Sequence, residues 1–238
     1  MKKASFKFFS RRICARPWKL PLPSPFLVTA ITGGLLITFG AGTLLARWTG
    51  TVPGMILSSL GAVLFIVCGS ALVPPCGKTV SKLGFRRLKK EDWHLILTAF
   101  LLITAGAVFI TAFWGEVLEL FHIPYTKEQG LVQLVKEGDT MTAVQLLILT
   151  AAAVPLAEEL MFRRCLYELL LPLGSAAALI GTAVIFAAAH GFLLGFPGLI
   201  FIGVIFQILA NVTRNLWSSI LCHAFHNALV IIFAYLAA

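Results

Sequence analysis

The chain has 238 residues, of which 59% are hydrophobic and only 12% are charged. A soluble domain usually carries about 25% charged residues, so this composition excludes an ordinary soluble protein and indicates one integral membrane domain. The net charge of +9 does not indicate nucleic-acid binding, because the basic residues cluster beside apolar segments, where the positive-inside bias of membrane proteins explains them.

The chain begins with a basic segment, since residues 1–20 contain seven Lys or Arg and no acid. The apolar sequence starts only at Phe26, is long, and is followed at once by a second apolar segment, which predicts an uncleaved anchor and not a signal peptide. We therefore expect residues 1–25 to form a cytoplasmic tail that lies on the anionic inner leaflet.

Seven apolar segments follow, each near the ~20 residues that cross ~30 Å of hydrocarbon, although the fifth and sixth are short. They cover residues 26–46, 52–73, 93–113, 142–162, 174–191, 197–213 and 216–237. The sequence thus predicts an all-α, polytopic transmembrane helical bundle of about seven spans (six to eight), with an active site inside the bundle. We divide it into N-terminal helices and loops, 26–141, and a catalytic transmembrane region, 142–238.

The charges between the spans predict the orientation of the chain. Residues 74–92 carry six Lys or Arg and lie inside if the N-terminus is inside, whereas residues 115–141 carry five acids against two lysines and lie outside. This outer loop also has a short apolar pattern, 131–135, that suggests a surface helix. The five cysteines show neither even pairing nor metal-type spacing, so we expect reduced, mostly apolar thiols.

The fourth span contains two adjacent carboxylates, Glu158 and Glu159. An acid at the centre of a membrane helix costs roughly 2.5–3.5 kcal/mol, so both need partners. Arg163 shares a helix face with Glu159, whereas Glu158 is turned away by about 100°. Carboxylates in different environments separate in proton affinity, which makes Glu158 a candidate general base. The alternative is an ion pair that only locks helix packing.

Three further polar residues lie in the later spans. His190 follows Phe186 by one helical turn, with three alanines between them that allow close approach of another helix. His223 and Asn227 project from one face and together offer two donors to one point, as a peptide oxyanion requires. Taken separately, an interfacial histidine and a helix–helix hydrogen-bonding pair explain them equally well. His226 is a neighbour with no assigned role.

The depth of His190 conflicts with a simple count of spans. His190 ends its span on the outer side, whereas Glu158 and His223 lie nearer the inner ends of theirs, so the offset exceeds about 10 Å at the helical rise of 1.5 Å per residue. Residues 191–198 contain three glycines and Pro197. We predict a break inside the bundle there, which protein can bury at depth, and which brings His190 towards the other two.

The order of these polar residues resembles the motifs of the CPBP family, which includes the type II CAAX prenyl proteases and the bacterial Abi-type bacteriocin-immunity proteins. The matching residues are Glu158-Glu159-x-x-x-Arg163, Phe186-x-x-x-His190 and His223-x-x-x-Asn227. Leu216-Trp217 fits the usual lead-in to the last motif. The resemblance covers residues 145–236, and it departs from the family at Arg164, where glycine is frequent.

The resemblance implies an intramembrane glutamic endopeptidase of a bacterial cell membrane, which cleaves a membrane-associated protein or peptide, prenylated chains included, without a cofactor or metal. The implied catalytic residues are Glu158, His190, His223 and Asn227, supported by Glu159 and Arg163. In this scheme Glu158 activates water and His190 helps to hold it. His223 and Asn227 stabilise the oxyanion.

Other functions use the same residues. A zinc-dependent variant of the protease would take Glu158, His190 and His223 as ligands with water as the fourth, although no His-Glu-x-x-His spacing supports it. A non-catalytic membrane immunity or interaction protein would keep the polar cluster for packing. A proton-coupled transporter also places Glu and His inside the membrane, but no inverted repeat is visible.

Overall fold

A computed structural model describes residues 21–74 and 78–238, and these residues are helical with no strand among them. Most of the predicted tail, together with Cys14 and Cys76, lies outside the described residues. The helices are α1 Ser24–Thr49, α2 Thr51–Leu72, α3 Thr79–Lys82, α4 Lys90–Leu120, α5 Gly130–Glu137, α6 Thr140–Leu173, α7 Ser175–Ala189, α8 Phe196–Thr213 and α9 Leu216–Leu236. The all-α bundle is confirmed.

Six of these helices are long and apolar enough to cross a membrane: α1, α2, α4, α6, α8 and α9. The seventh apolar helix, α7, has 15 residues and is about 22 Å long at 1.5 Å per residue, which is shorter than the hydrocarbon core. The chain is therefore an integral, multi-pass membrane protein. The predicted surface helix is present as α5, which buries Val135 against α2, α6 and α9.

Helix α6 is longer than the sequence predicted, because it continues past residue 162 to Leu173. The two arginines there do not end it, since both side chains are fully buried and each pairs with an acid one turn away on the same helix, Glu159 for Arg163 and Glu168 for Arg164. Gly174, at φ 103°, then turns the chain into α7.

One end of the bundle collects the basic residues. The loop before α4 is tied to the turn between α8 and α9, because Arg86 donates to the carbonyl oxygen of Thr213 at 2.6 Å and Leu216 donates its N–H to Gly84 at 3.0 Å. Trp217 packs against Phe85 with ring centroids 5.0 Å apart. We call this the basic end. It holds Lys78, Lys82, Arg86, Arg87, Lys89, Lys90 and Arg214.

The opposite end carries α5 and the acidic loop, residues 121–139, and we call it the acidic end. The turn between α7 and α8 lies there too, since Trp114 donates its ring N–H to Leu193 at 3.1 Å. Asp139 caps the start of α6, where hydrogen bonds from Thr142 hold the pKa of Asp139 below its usual value.

Candidate active site

The two adjacent glutamates of α6 lie in different surroundings. The side chains of Glu159 and Arg163 are both fully buried, and Arg163 Nε donates to Glu159 Oε2 at 3.1 Å. The Glu158 side chain is 21% exposed and lines a cavity. The structure thus contains the predicted ion pair and turns the second carboxylate towards open space, as the helical geometry of i and i+4 residues requires.

His223 on α9 lies between the two carboxylates. Its Nδ1 is 3.2 Å from Glu159 Oε1 and its Nε2 is 3.9 Å from Glu158 Oε2. The imidazole stacks on Phe206 of α8, with centroids 4.8 Å apart and planes inclined by 28°. Because an ionised carboxylate only accepts hydrogen bonds, Glu159 fixes a proton on Nδ1 and leaves Nε2 facing Glu158.

His190 lies against the aromatic ring of Phe186, close to His223. Its ring is 4.7 Å from Phe186, which is in turn 6.1 Å from the ring of His223. Its Nδ1 is 2.8 Å from the carbonyl oxygen of Phe186, and since a carbonyl only accepts, Nδ1 donates in this contact and Nε2 is not engaged by it. A turn follows directly, since α7 ends at Ala189, Gly191 adopts φ 59° and α8 starts at Phe196. Gly191 and Leu193 are exposed and the turn lies at the acidic end, so it is not the break inside the bundle that the sequence predicted.

Asn227 reaches an irregular turn of α6. Residues Leu149–Ala153 form a π-helix, in which the N–H of Val154 bonds to Leu149. The next donor in that pattern would be residue 155, but Pro155 has no N–H, so the carbonyl of Thr150 lacks a helical donor. Asn227 Nδ2 supplies one at 2.9 Å. A side-chain amide carries two N–H groups, so the second one remains for another acceptor.

One partly open cavity of about 600 Å³ connects these residues. It is lined by all four residues implied to be catalytic, Glu158, His190, His223 and Asn227, and also by His226. Among the described residues, Glu158 Oε2, His226 Nδ1 and Thr38 Oγ1 are buried polar atoms on this cavity without a hydrogen-bond partner. A pocket of this size with a few convergent polar groups is typical of a ligand site.

The other walls of the cavity come from residues that the sequence did not single out. They belong to the first two helices and to α5, and they are Leu35, Thr38, Phe39, Met55, Ser58, Ser59, Gln129, Gly130, Leu131, Val132 and Leu134. The only available signal was the presence of a few hydroxyl residues inside apolar spans. His226, considered only as a neighbour, lies on the cavity as well.

The departure from the family at Arg164 has a structural explanation. Arg164 is buried, pairs with Glu168, and donates from Nε to the carbonyl of Lys82. The Lys82 side chain, also buried, donates to the carbonyl of Ser70 at 3.1 Å. Glu168 accepts from the N–H of Leu22 at 3.3 Å. Arg164 and its partners therefore join the segment before α1 to α2, α3 and α6 at the basic end.

The arrangement does not present a metal site. Among the described residues, no group of three or more His, Cys, Asp or Glu side chains could share a metal ion. His190 and His223 each direct Nδ1 to an internal acceptor, and the remaining Nε2 of His223 is 3.9 Å from Glu158. This distance is too long for a direct hydrogen bond.

Residues 140–229 match the family described as Type II CAAX prenyl endopeptidase Rce1-like. No match was found among curated proteins or among solved structures. The match supports the CPBP resemblance predicted from the sequence and indicates a membrane protease. It covers α6 to most of α9, and therefore all six site residues predicted from the sequence, but none of the helices α1 to α5.

Proposed function

Since residues 140–229 carry a match to Rce1-like type II CAAX prenyl endopeptidases, we propose that the chain is an intramembrane endopeptidase of the glutamic type. It hydrolyses a peptide bond of a membrane-associated protein or peptide, prenylated chains included. The observation that supports this proposal is the convergence of Glu158, His190, His223 and Asn227 on one cavity inside a helical bundle.

In this proposal the Glu158 carboxylate is the general base. It is next to the cavity, and the neighbouring charge of Arg163 is already taken up by Glu159. A water molecule placed between Glu158 and His190 would give one proton to Glu158, while its second hydrogen bonds to Nε2 of His190. The water oxygen then attacks the carbonyl carbon of the scissile bond.

The carbonyl oxygen becomes negatively charged in this step and needs donors. Asn227 offers its second amide N–H, and His223 offers Nε2 when the ring carries both protons. The buried carboxylate of Glu159 holds Nδ1 of His223 and so turns Nε2 towards Glu158 and the cavity. When the tetrahedral intermediate collapses, Glu158 returns its proton to the departing amine and the C–N bond breaks. Glu159 and Arg163 hold the imidazole in place.

Replacement of Glu158 by Gln tests the proposal. The change removes the base with almost no change in volume, and general-base catalysis contributes about 100-fold to 10,000-fold. Purified protein in liposomes would be assayed with a farnesylated peptide ending in a CAAX sequence, with the same peptide without the lipid, and with a transmembrane peptide. Glu116→Gln, an exposed acid outside the cavity, is the matched control.

We expect Glu158→Gln to fold and insert like the parent and to lose cleavage by at least ~100-fold, whereas Glu116→Gln cleaves normally. Undiminished cleavage by Glu158→Gln would disprove the assignment of the base. No cleavage of any of these substrates by the parent protein, in a form shown to be folded, would favour the non-catalytic membrane protein instead.

A further inference from the structure

The cavity occupies only one half of the bundle. On α9, which runs from the basic to the acidic end, the cavity residue nearest the basic end is His223, and the others follow it. On α2 and α8, which run the opposite way, every cavity residue lies in the first half of the helix, up to Ser59 and Ile202 respectively. No cavity residue belongs to the loops of the basic end.

The cavity is closed towards the basic end by buried aromatic rings and charges. The Arg163 guanidinium lies 4.5 Å from the Phe186 ring centroid and 5.6 Å from that of Phe206, with Phe162 packed edge-on against Phe186. Below this layer, nearer the basic end, Arg164 and its buried partners join the helices. Each of these side chains is at most 6% exposed, so these layers leave no path for a peptide from the basic end into the cavity.

Towards the acidic end only one helix covers the cavity. The wall there is the single short helix α5, whose Gly130 and Leu134 are both exposed on the surface and also line the cavity. On α1, Phe39 lines the cavity while 60% of its area is exposed. At α5 and at the middle of α1, single residues therefore separate the cavity from the outside. At the basic end, several layers of buried side chains do so.

We propose that substrates reach Glu158 from the acidic end, and that this is the extracytoplasmic side of the membrane. The acidic end is assigned to the extracytoplasmic side from the charge distribution. Lys and Arg are enriched on the cytoplasmic side of membrane proteins, and in this protein they collect at the opposite, closed end. The inference rests on the proposed function. It narrows the substrate class to membrane-anchored polypeptides whose cleavage site lies in the outer half of the bilayer, which leaves out chains whose prenyl anchor lies in the cytoplasmic leaflet.

The cavity walls also indicate which substrate residues flank the cleaved bond. The part of the cavity beyond the polar cluster is formed mainly by apolar side chains of α1, α2 and α5, among them Leu35, Met55 and Leu131, with Thr38, Ser58, Ser59 and Gln129 as the polar members. An extended segment in this space would be surrounded by apolar groups, so apolar residues flank its scissile bond. These walls lie outside the matched region, 140–229, so this feature belongs to the present chain.

Cysteine accessibility tests the proposal. Cys14, Cys68 and Cys76 are replaced by serine, while Cys165 and Cys222 are fully buried and stay. Thr38→Cys places a thiol on the cavity wall without loss of a hydrogen bond, since Thr38 Oγ1 has no partner. Glu137→Cys and Arg87→Cys mark the acidic and basic ends, where both parent residues are exposed. A charged, membrane-impermeant thiol reagent is added to spheroplasts or to inside-out vesicles.

We expect Thr38→Cys and Glu137→Cys to react in spheroplasts and Arg87→Cys only in inside-out vesicles, as read from the mass of the protein. We also expect modified Thr38→Cys to lose cleavage. Reaction of Thr38→Cys from the Arg87 side, or from neither side, would overturn the access route, and reaction of Arg87→Cys in spheroplasts would overturn the orientation. The mass readout does not depend on activity, so these results stay interpretable if the proposed protease function fails.

Discussion

Nδ1 of His223 lies 3.2 Å from Oε1 of Glu159, a carboxylate that has no exposed surface. The same carboxylate accepts a hydrogen bond from Arg163 through its other oxygen. Both carboxylate oxygens of Glu159 thus face a donor, and neither is left for a group in the cavity. In the proposed mechanism this contact separates a structural glutamate from a reactive one, because of these two carboxylates only that of Glu158 has an oxygen without a hydrogen-bond partner.

Replacement of His223 by Ala should reduce the rate of cleavage more than it reduces substrate binding. Removal of one oxyanion donor typically lowers kcat by about 100-fold to 1,000-fold, and the loss of the ring also leaves one oxygen of Glu159 without a partner. Steady-state kinetics in liposomes measure kcat and KM. His94→Ala, an exposed histidine near the basic end, should leave both constants unchanged. A rise in KM at constant kcat would assign His223 to substrate binding.

The ion pair between Glu159 and Arg163 should contribute strongly to stability. Removal of one partner of a buried pair leaves an uncompensated charge and costs about 3–5 kcal/mol, so we expect Arg163→Met or Glu159→Gln alone to lower the Tm sharply. The double variant should recover most of that stability, since both charges are gone, but not cleavage, because the charge that holds His223 is absent. Thermal unfolding in detergent measures the first effect.

An exposed ion pair provides the control for the single and double variants at Glu159 and Arg163. Lys136 and Glu128 pair at the acidic end with side chains that are 35% and 42% exposed, and such pairs contribute about 0–1 kcal/mol. Lys136→Met should therefore leave the Tm nearly unchanged. If the double variant at Glu159 and Arg163 is no more stable than either single variant, the two charges do not compensate each other.

Most of the fold could be predicted from the sequence, because apolar length and charge placement are local properties. The segments 26–46 and 52–73 correspond closely to α1 and α2, whereas α4, Lys90–Leu120, extends beyond the predicted segment 93–113 at both ends. The extent of α6 could not be predicted, because the rule that arginines mark the membrane surface holds for exposed arginines. Arg163 and Arg164 are buried by tertiary packing and neutralised by acids, and the sequence does not reveal burial.

The candidate site was predictable to the extent that charge inside a membrane is costly. That cost drew attention to Glu158, Glu159 and Arg163, and the helical repeat gave the correct pairing. The cavity walls on α1, α2 and α5 were not predictable, since ordinary apolar residues form them and only their meeting in space defines a cavity. The contact of Asn227 with Thr150 also depends on a π-turn, which apolar periodicity does not reveal.

Chelators should not affect cleavage. Among the described residues no three His, Cys, Asp or Glu side chains are arranged so that they could hold a metal ion, and in the proposed reaction Glu158 itself takes the proton from water. We expect unchanged rates after treatment with EDTA or 1,10-phenanthroline, and less than stoichiometric zinc in the purified protein by elemental analysis. Loss of activity with chelator and its return with zinc would instead support the metal variant, with Glu158, His190 and His223 as ligands.

Asn227 has two separable tasks, and Pro155 allows them to be distinguished. Asn227→Ala removes an oxyanion donor, which lowers kcat by about 100-fold to 1,000-fold. It also leaves the Thr150 carbonyl without its donor, which costs about 1–3 kcal/mol. Pro155→Ala returns a backbone N–H to α6, so that the helix itself can satisfy this carbonyl. In the Pro155→Ala background, Asn227→Ala should therefore cost less stability but the same factor in kcat.

A double-mutant cycle over Pro155 and Asn227 measures both quantities on the same four proteins, with the Tm for stability and kcat for catalysis. A coupling in the Tm without a coupling in kcat is the expected result, because the second amide N–H acts on the substrate and not on the helix. If Pro155→Ala also removes the effect of Asn227→Ala on kcat, Asn227 acts only by donating a hydrogen bond to the Thr150 carbonyl of α6. His223 would then stabilise the oxyanion without Asn227.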